Sequence, residues 1–369
     1  MATSEVINID SLVQPLAGEN PAGVDLRADF AHDAPFSLIR GARNAARSAE
    51  RARLEGMPDA PPPDWRPVLN DGPTLIAEKS KDLDVAAWLI EALVREYGFA
   101  GLRDGFRLYR ELVERYWESA FPQPDPDSPE DEVHLDRLAT FVGLNGEEGS
   151  GTLIEPILNI SIVGGSHDRA IGVLAFEQAR ILAQIDDANE RALRIRHGIV
   201  PLEEIEKAVN ATSSGHFAEQ MDDLRAAMAE FEKLCTVLEG KCGLDQAPPS
   251  SDIRNAMDRC ANLLRPYVPA DGGSESTEEV SGPSSSGSAP AARSGPVQSR
   301  EKAFDQLREI ARFFRETEPH SVLSWQLEEC VRWGKMTLPE LLSDLIADED
   351  ARDRLFKRVG IPKPEESDN

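Results

Sequence analysis

The stretch from Asp64 to Pro122 limits the fold more tightly than any other. Within it Leu83, Ala86, Ala87, Ile90, Leu93, Val94 and Tyr97 recur at three- and four-residue steps, the period of a helix that buries one face. Asp82 reads as the N-cap of that helix and Gly98 as its stop. The four residues Gly98-Phe99-Ala100-Gly101 then hand over to a second helix, with Leu102, Phe106, Tyr109, Leu112, Val113 and Tyr116 on one face. Two amphipathic helices joined by so short a turn must run antiparallel. Just upstream, Pro67 and Asp71-Gly72-Pro73 predict a turn near Asp71. Pro73 would then open a fresh helical segment, since proline lacks a backbone donor and clashes with the preceding turn.

The flanking sequence extends the helical pattern. Phe36 to Leu54 reads as a polar helix carrying Arg40, Arg43, Arg47, Arg51 and Arg53, either a solvated face or a local basic patch for an acidic partner. Glu130 to Leu144 reads as a helix with Val133, Leu138 and Phe141 on its apolar side. Thr152 to Val163 leans towards strand, and the glycines on either side suggest a flexible connector. Further on, Ile171, Leu174, Ala175, Gln178, Ile181, Leu182 and Ile185 share a helical face, and Pro201 opens a short helix with Leu202, Ile205 and Val209. Phe217, Met221, Leu224, Met228, Phe231, Leu234, Cys235 and Leu238 form the longest stripe, followed by Ile253, Met257, Cys260, Leu263 and Leu264. The fold class is therefore mostly all-α.

Residues 269–299 hold almost no large apolar side chains and cannot offset the entropy of ordering, which predicts a disordered Pro/Gly/Ser linker. Such a coil reaches on the order of 30 Å and serves as a tether. Residues 300–369 return to globular composition, with Ala303, Leu307, Ile310, Phe313 and Phe314 on one helix and Leu323, Leu327, Cys330 and Val331 on the next. Their core is thin, and association with further copies would stabilise it. Four regions result: a helical domain over 1–144, a middle helical region over 145–268, the linker over 269–299 and a small C-terminal helical domain over 300–369.

Chemistry finds little footing. The formal net charge of −26 argues against a nucleic-acid binder and against docking on anionic membranes. No apolar run approaches the ~20 residues of a spanning helix. MATSEVINIDSLVQPL lacks the basic and apolar regions of a secretory signal, which suits a cytoplasmic protein. Cys235, Cys242, Cys260 and Cys330 show no CxxC pair or zinc spacing, and three of them, Cys235, Cys260 and Cys330, fall on apolar faces as buried reduced thiols. Asp131-x-x-His134 is half of a di-iron motif without its counterpart, Asp125 and Asp127 lack an EF-hand register, and the adjacent Glu203 and Glu204 point to different faces. His320 reads as a turn-stabilising hydrogen-bonder. No residue is singled out as catalytic, cofactor-binding or metal-ligating, and no cofactor is expected.

The central stretch also resembles a known family. Asp64-Trp65, Ser80-Lys81-Asp82-Leu83, Trp88-Leu89, Gly98-Phe99-Ala100-Gly101-Leu102, Gly105, Tyr116-Trp117 and Phe121-Pro122, preceded by Pro21-Ala22-Gly23-Val24-Asp25-Leu26, resemble the ImpA N-terminal domain. That domain opens the TssA proteins of bacterial type VI secretion systems. Glu318-Pro319-His320-Ser321 and Trp333 resemble the C-terminal domain of the short TssA proteins, with Val322 where many relatives have proline. The resemblance implies a non-enzymatic assembly component whose C-terminal domain forms a homo-oligomeric ring. It also implies baseplate, sheath and inner-tube proteins as partners. The other readings are a monomeric helical adaptor or chaperone, and an enzyme of unrecognised type.

Overall fold

One backbone conformation creates the central hairpin. In the computed structural model Asp82 caps helix α4 (Leu83–Tyr116), its carboxylate accepting from the N–H groups of Asp84 and Val85. Gly98, at φ 56° and ψ −132°, breaks that helix in the middle. Beyond the break Gly101 meets the first arm so closely that a Cβ would lie 2.1 Å from the Leu93 carbonyl oxygen, and one on Gly105 would lie 3.0 Å from Ile90. At the far end the Leu83 N–H donates to Phe121 O (2.6 Å) and the Phe121 N–H to Lys81 O (3.1 Å). The two arms therefore run antiparallel, as their periodicity requires. The turn is tighter than the expected four residues, because Phe99, Ala100 and Gly101 already belong to the second arm.

The structure describes residues 2–268 except 30, 32, 55–56, 58–59, 125–126, 128, 130–132, 147–150 and 166–168, and residues 300–345 except 318–322, together with 352 and 356. The expected linker over 269–299 lies outside the described residues. The chain divides into two units, Met1–Glu275 and Ser276–Asn369.

In the first unit the hairpin is preceded by α1 (Ile9–Leu12), α2 (Pro35–Leu54) and α3 (Arg66–Glu78). The predicted turn at Asp71 is absent: α3 runs through Asp71, Gly72 and Pro73, with Pro67 in its first turn. A proline inside a helix costs about 3 kcal/mol. Val68, Leu75 and Ile76, all buried on this one helix, return about 1.5–3 kcal/mol each. Burial wins. The first unit then continues through α5 (Val133–Arg137), α6 (Ala139–Asn145), α7 (Ile154–Leu158), α8 (Val173–Ala183), α9 (Ala188–Arg196), α10 (Leu202–Ala211), α11 (Ser214–Cys242) and α12 (Ser251–Leu264). The expected helix over Glu130–Leu144 is broken at Leu138 into α5 and α6.

Two further expectations change. Thr152–Val163 contains the one-turn helix α7 instead of a strand, and Ile162 makes a single ladder-like bond to Ile171 O (3.0 Å). Its apolar residues Leu153, Ile157, Leu158, Ile162 and Val163 are buried in the common core, so the run is apolar without any strand to pair with. Among the described residues there is no named strand, only isolated bridges at Gly23–Ser80 and Asp82–Phe121. On α8 the buried face is Val173, Phe176, Ala179 and Leu182, while Ile181 is exposed. One contiguous core runs from Ile9 to Leu264.

Helix α11 lies along the second hairpin arm, where Phe231 packs on Phe106 with ring centroids 4.7 Å apart. Next to this contact Arg103 donates to Asp104 (2.7 Å) and to Asp223 of α11 (2.5 Å), all three side chains being buried. The N-terminal segment closes over them. Arg103 reaches the Thr3 and Ser4 carbonyls, the N–H and hydroxyl of Thr3 donate to Asp223, and the Val6 N–H donates to Asp104.

The second unit comprises α13 (Arg300–Thr317), α14 (Leu323–Trp333) and α15 (Leu338–Leu345). Here the predicted inward face is turned partly outward: Val331 is buried, whereas Ile310 is 44% and Phe313 59% exposed. Beyond that face Ala311 and Phe356 are buried and Trp325 is 62% exposed. Cys330, expected to be buried, is exposed.

Candidate functional site

Part of the resemblance, Pro21–Leu26, Ser80–Leu83, Tyr116-Trp117 and Phe121-Pro122, meets at one junction at the open end of the hairpin. The extended segment at Ala22–Val24 pairs with the end of α3: the Val24 N–H donates to Lys79 O (3.2 Å) and the Lys81 N–H to Ala22 O (2.8 Å). Gly23 sits at φ 84°, and a Cβ there would strike Lys79 O at 2.1 Å, so no other residue fits. Arg27 binds the buried Asp82 (2.6 Å) and Asp84, securing the capping carboxylate. Burial pushes the Asp82 carboxyl up to about 6, against the pull of Arg27. At the same open end, just past the second arm, Arg137 donates to the carbonyls of Trp117 (2.7 Å), Ala120 (2.9 Å) and Pro122 (2.8 Å) and lies over the Trp117 ring. These groups satisfy orphan carbonyls after the helix end. The signature is architectural: it ties the open end of the hairpin to the N-terminal segment on one side and to α5 on the other.

Lys81 is the most unusual member of this junction. It is fully buried, and its ammonium donates to Leu12 O (2.7 Å) and Ile76 O (2.8 Å), with no carboxylate of the described residues within ion-pairing distance. Burial pushes its pKa from 10.5 down to about 8. Between these values the unfolded chain binds more protons than the folded one, so this lysine makes stability rise with pH through that window. The unfolding free energy of the wild type minus that of Lys81→Met should therefore climb between pH 8 and 10.5. A flat difference in urea titrations would show that the two carbonyls hold the cation without penalty.

A cleft of about 1450 Å³ opens between the C-terminal half of α2, the hairpin turn, α7 and the end of α9. Arg47, Arg51, Arg53, Arg95, Arg169 and Arg196 line it, facing Glu50, Glu96 and Glu155. Arg95 and Glu50 are already engaged: they form a two-pronged pair (2.6 and 2.8 Å), Glu50 also accepts from the Trp65 indole (2.8 Å), and Arg95 stacks over that ring. Among the described residues, no carboxylate lies within ion-pairing distance of Arg47, Arg51, Arg53, Arg169 or Arg196. Desolvation, with Arg43, Arg95 and Arg51 nearby, lowers the Arg47 pKa, although Glu91 opposes this. Burial, with Glu50 adding to it, raises that of Glu155. The arginine-rich helix α2 is thus not uniformly solvated. Arg43 binds the fully buried Glu91 beside Trp88, and the next arginines open into the cleft.

The residues considered for chemistry stay apart. His134 packs on Trp117, with centroids 5.6 Å apart, while Asp131 lies outside the described residues, as do Asp125, His167 and His320. Glu203 and Glu204 are exposed in the first turn of α10, where acidic side chains complement the helix dipole. Among the described residues no three His, Cys, Asp or Glu side chains gather to hold a metal. Cys235, Cys242 and Cys260 are buried free thiols; burial pushes Cys242 up to about 11 and Cys260 up to about 12. No helix among the described residues is long and apolar enough to cross a membrane.

Comparisons with known proteins agree with this architecture. Residues 13–146 match the family described as ImpA, N-terminal, type VI secretion system. Over 353 residues the chain is 25% identical to the type VI secretion system component TssA1 of Pseudomonas aeruginosa, covering 93% of this chain and 96% of that protein. It is also similar to a solved N-terminal domain that includes the conserved ImpA_N region of the TssA component of the type VI secretion system from Burkholderia cenocepacia. That likeness has a TM-score of 0.58 at 26% identity, over 72% of this chain and 94% of the other.

Proposed function

We propose that this chain, which belongs to the TssA family of type VI secretion components, is a non-enzymatic structural assembly protein of the secretion machine. Residues 300–369 close on further copies into a ring, residues 269–299 act as tether, and the helical body over 1–268 contacts other machine parts, with 1–144 as its ImpA-type domain and 145–268 as its middle region. Baseplate, sheath and inner-tube proteins of the cytoplasmic assembly are the partners this reading assigns. A ring multiplies weak contacts through high effective concentration.

One observation carries the reading. Among the described residues of the second unit, the exposed Ile310, Phe313 and Trp325 are bulkier together than the buried Ala311, Val331 and Phe356. Association would remove that surface from water, at about 25 cal/mol for each Å² covered. Light scattering on the full-length protein should return a multiple of the 40.5 kDa chain mass. Ile310→Asp combined with Trp325→Asp should reduce it to a single chain, while helix α4 and its partners keep their circular dichroism and melting transition. A wild-type protein that stays one chain at high concentration favours the adaptor reading and removes the ring.

A further inference from the structure

We propose that the cleft between α2, the hairpin turn and α9 binds an extended, carboxylate-rich peptide segment of a partner protein. The inference rests on the reading of residues 1–268 as the contact-making body, and it names where that body makes a contact. Guanidinium groups are planar forks that match carboxylates in two-pronged geometry. Arg47, Arg51, Arg53, Arg169 and Arg196 bring five of them to one concavity with no carboxylate of their own within ion-pairing distance among the described residues. In a chain of net charge −26 such a gathering is not background composition. Arg47 is moreover crowded by other arginines in a partly desolvated position, an electrostatic tension that an entering carboxylate relieves.

Size and texture narrow the ligand class. A volume of about 1450 Å³ exceeds the ~300–1,000 Å³ of small-molecule pockets and suits a peptide several residues long. Tyr97, 45% exposed at the hairpin turn, offers apolar surface for an anchoring side chain between the charges. Nucleic acid fits less well. Following a phosphate backbone takes an uninterrupted basic track, and here Glu50, Glu96 and Glu155 interrupt it while the whole chain repels a polyanion at long range. A short acidic segment can place its carboxylates on the arginines and avoid the glutamates.

The test uses the full-length protein and a fluorescein-labelled peptide of about twelve residues, rich in Asp and Glu with one Leu and one Phe, followed by anisotropy. Saturable binding is expected, weakening as added salt shortens the Debye length from about 10 to about 3 Å. Arg51→Glu with Arg196→Glu should weaken it by about tenfold or more, because both side chains are exposed and their reversal repels the peptide without disturbing the core. Arg53→Glu with Arg169→Glu, also exposed, provides a second independent pair. Arg225→Glu, on an exposed pair with Asp222 and outside the cleft lining, should leave binding unchanged. Absence of saturation, wild-type affinity in both charge-reversed pairs, or stronger competition by single-stranded DNA of matched charge would each overturn the proposal. Chain mass measured on the same samples separates the two readings: an oligomer that ignores the peptide loses only the cleft.

Discussion

Replacing Arg103 with alanine should lower the unfolding free energy of the first unit by about 3–5 kcal/mol, the cost of leaving buried charge uncompensated. Arg103 stands between Asp104 and Asp223, each nearly inaccessible, and supplies the cation to both. It also holds the Thr3 and Ser4 carbonyls, so its loss frees the N-terminal segment together with the contact between hairpin and α11. Urea titration followed by circular dichroism gives the number. Adding Asp104→Asn and Asp223→Asn to the variant should restore part of the loss, because amides carry no charge to strand. A single-site loss under about 1 kcal/mol would mean that water reaches the carboxylates and that the triad is not a closed unit.

Gly101→Ala should cost about 3 kcal/mol, at the upper end of what overpacking produces. The added methyl would meet the carbonyl oxygen and carbon of Leu93 at 2.1 and 2.5 Å. Both are backbone atoms, so no rotamer change relieves the contact and the arms must part near the turn. Gly41→Ala on α2 makes the matched control. Its methyl would meet nothing within 4 Å, and a helical alanine in place of glycine stabilises by about 0.5–1 kcal/mol. Opposite signs for one chemical change would show that arm-to-arm distance, not helix propensity, decides. Melting of Gly101→Ala at the wild-type temperature would deny the close approach.

The hairpin was legible in the sequence because it depends on local quantities: a 3.6-residue apolar period, a capping aspartate and a glycine able to take positive φ. What was not legible depends on partners distant along the chain. Whether Pro73 breaks a helix turns on how much Val68, Leu75 and Ile76 bury against the hairpin, which the prolines themselves do not encode. Thr152–Val163 has strand-like composition, yet a strand needs a neighbour, and burial in a helical core satisfies the same apolar residues. Arg103 and Asp223 are 120 positions apart, and the cleft draws arginines from positions 47 to 196. Only the run along α2 gave a local sign of it. Lys81 and Asp82 were visible as motif letters, but the complete burial that makes the lysine unusual emerges only when α1, α3 and the hairpin end meet.

The contrast between Cys330 and the other three cysteines has a practical consequence. Cys235, Cys242 and Cys260 are sealed in the core, while the sulfur on α14 faces solvent. A maleimide fluorophore added to the native protein near neutral pH will therefore attach once per chain, and always in the second unit. No engineered tag is needed for photobleaching steps to count how many protomers an assembled particle contains.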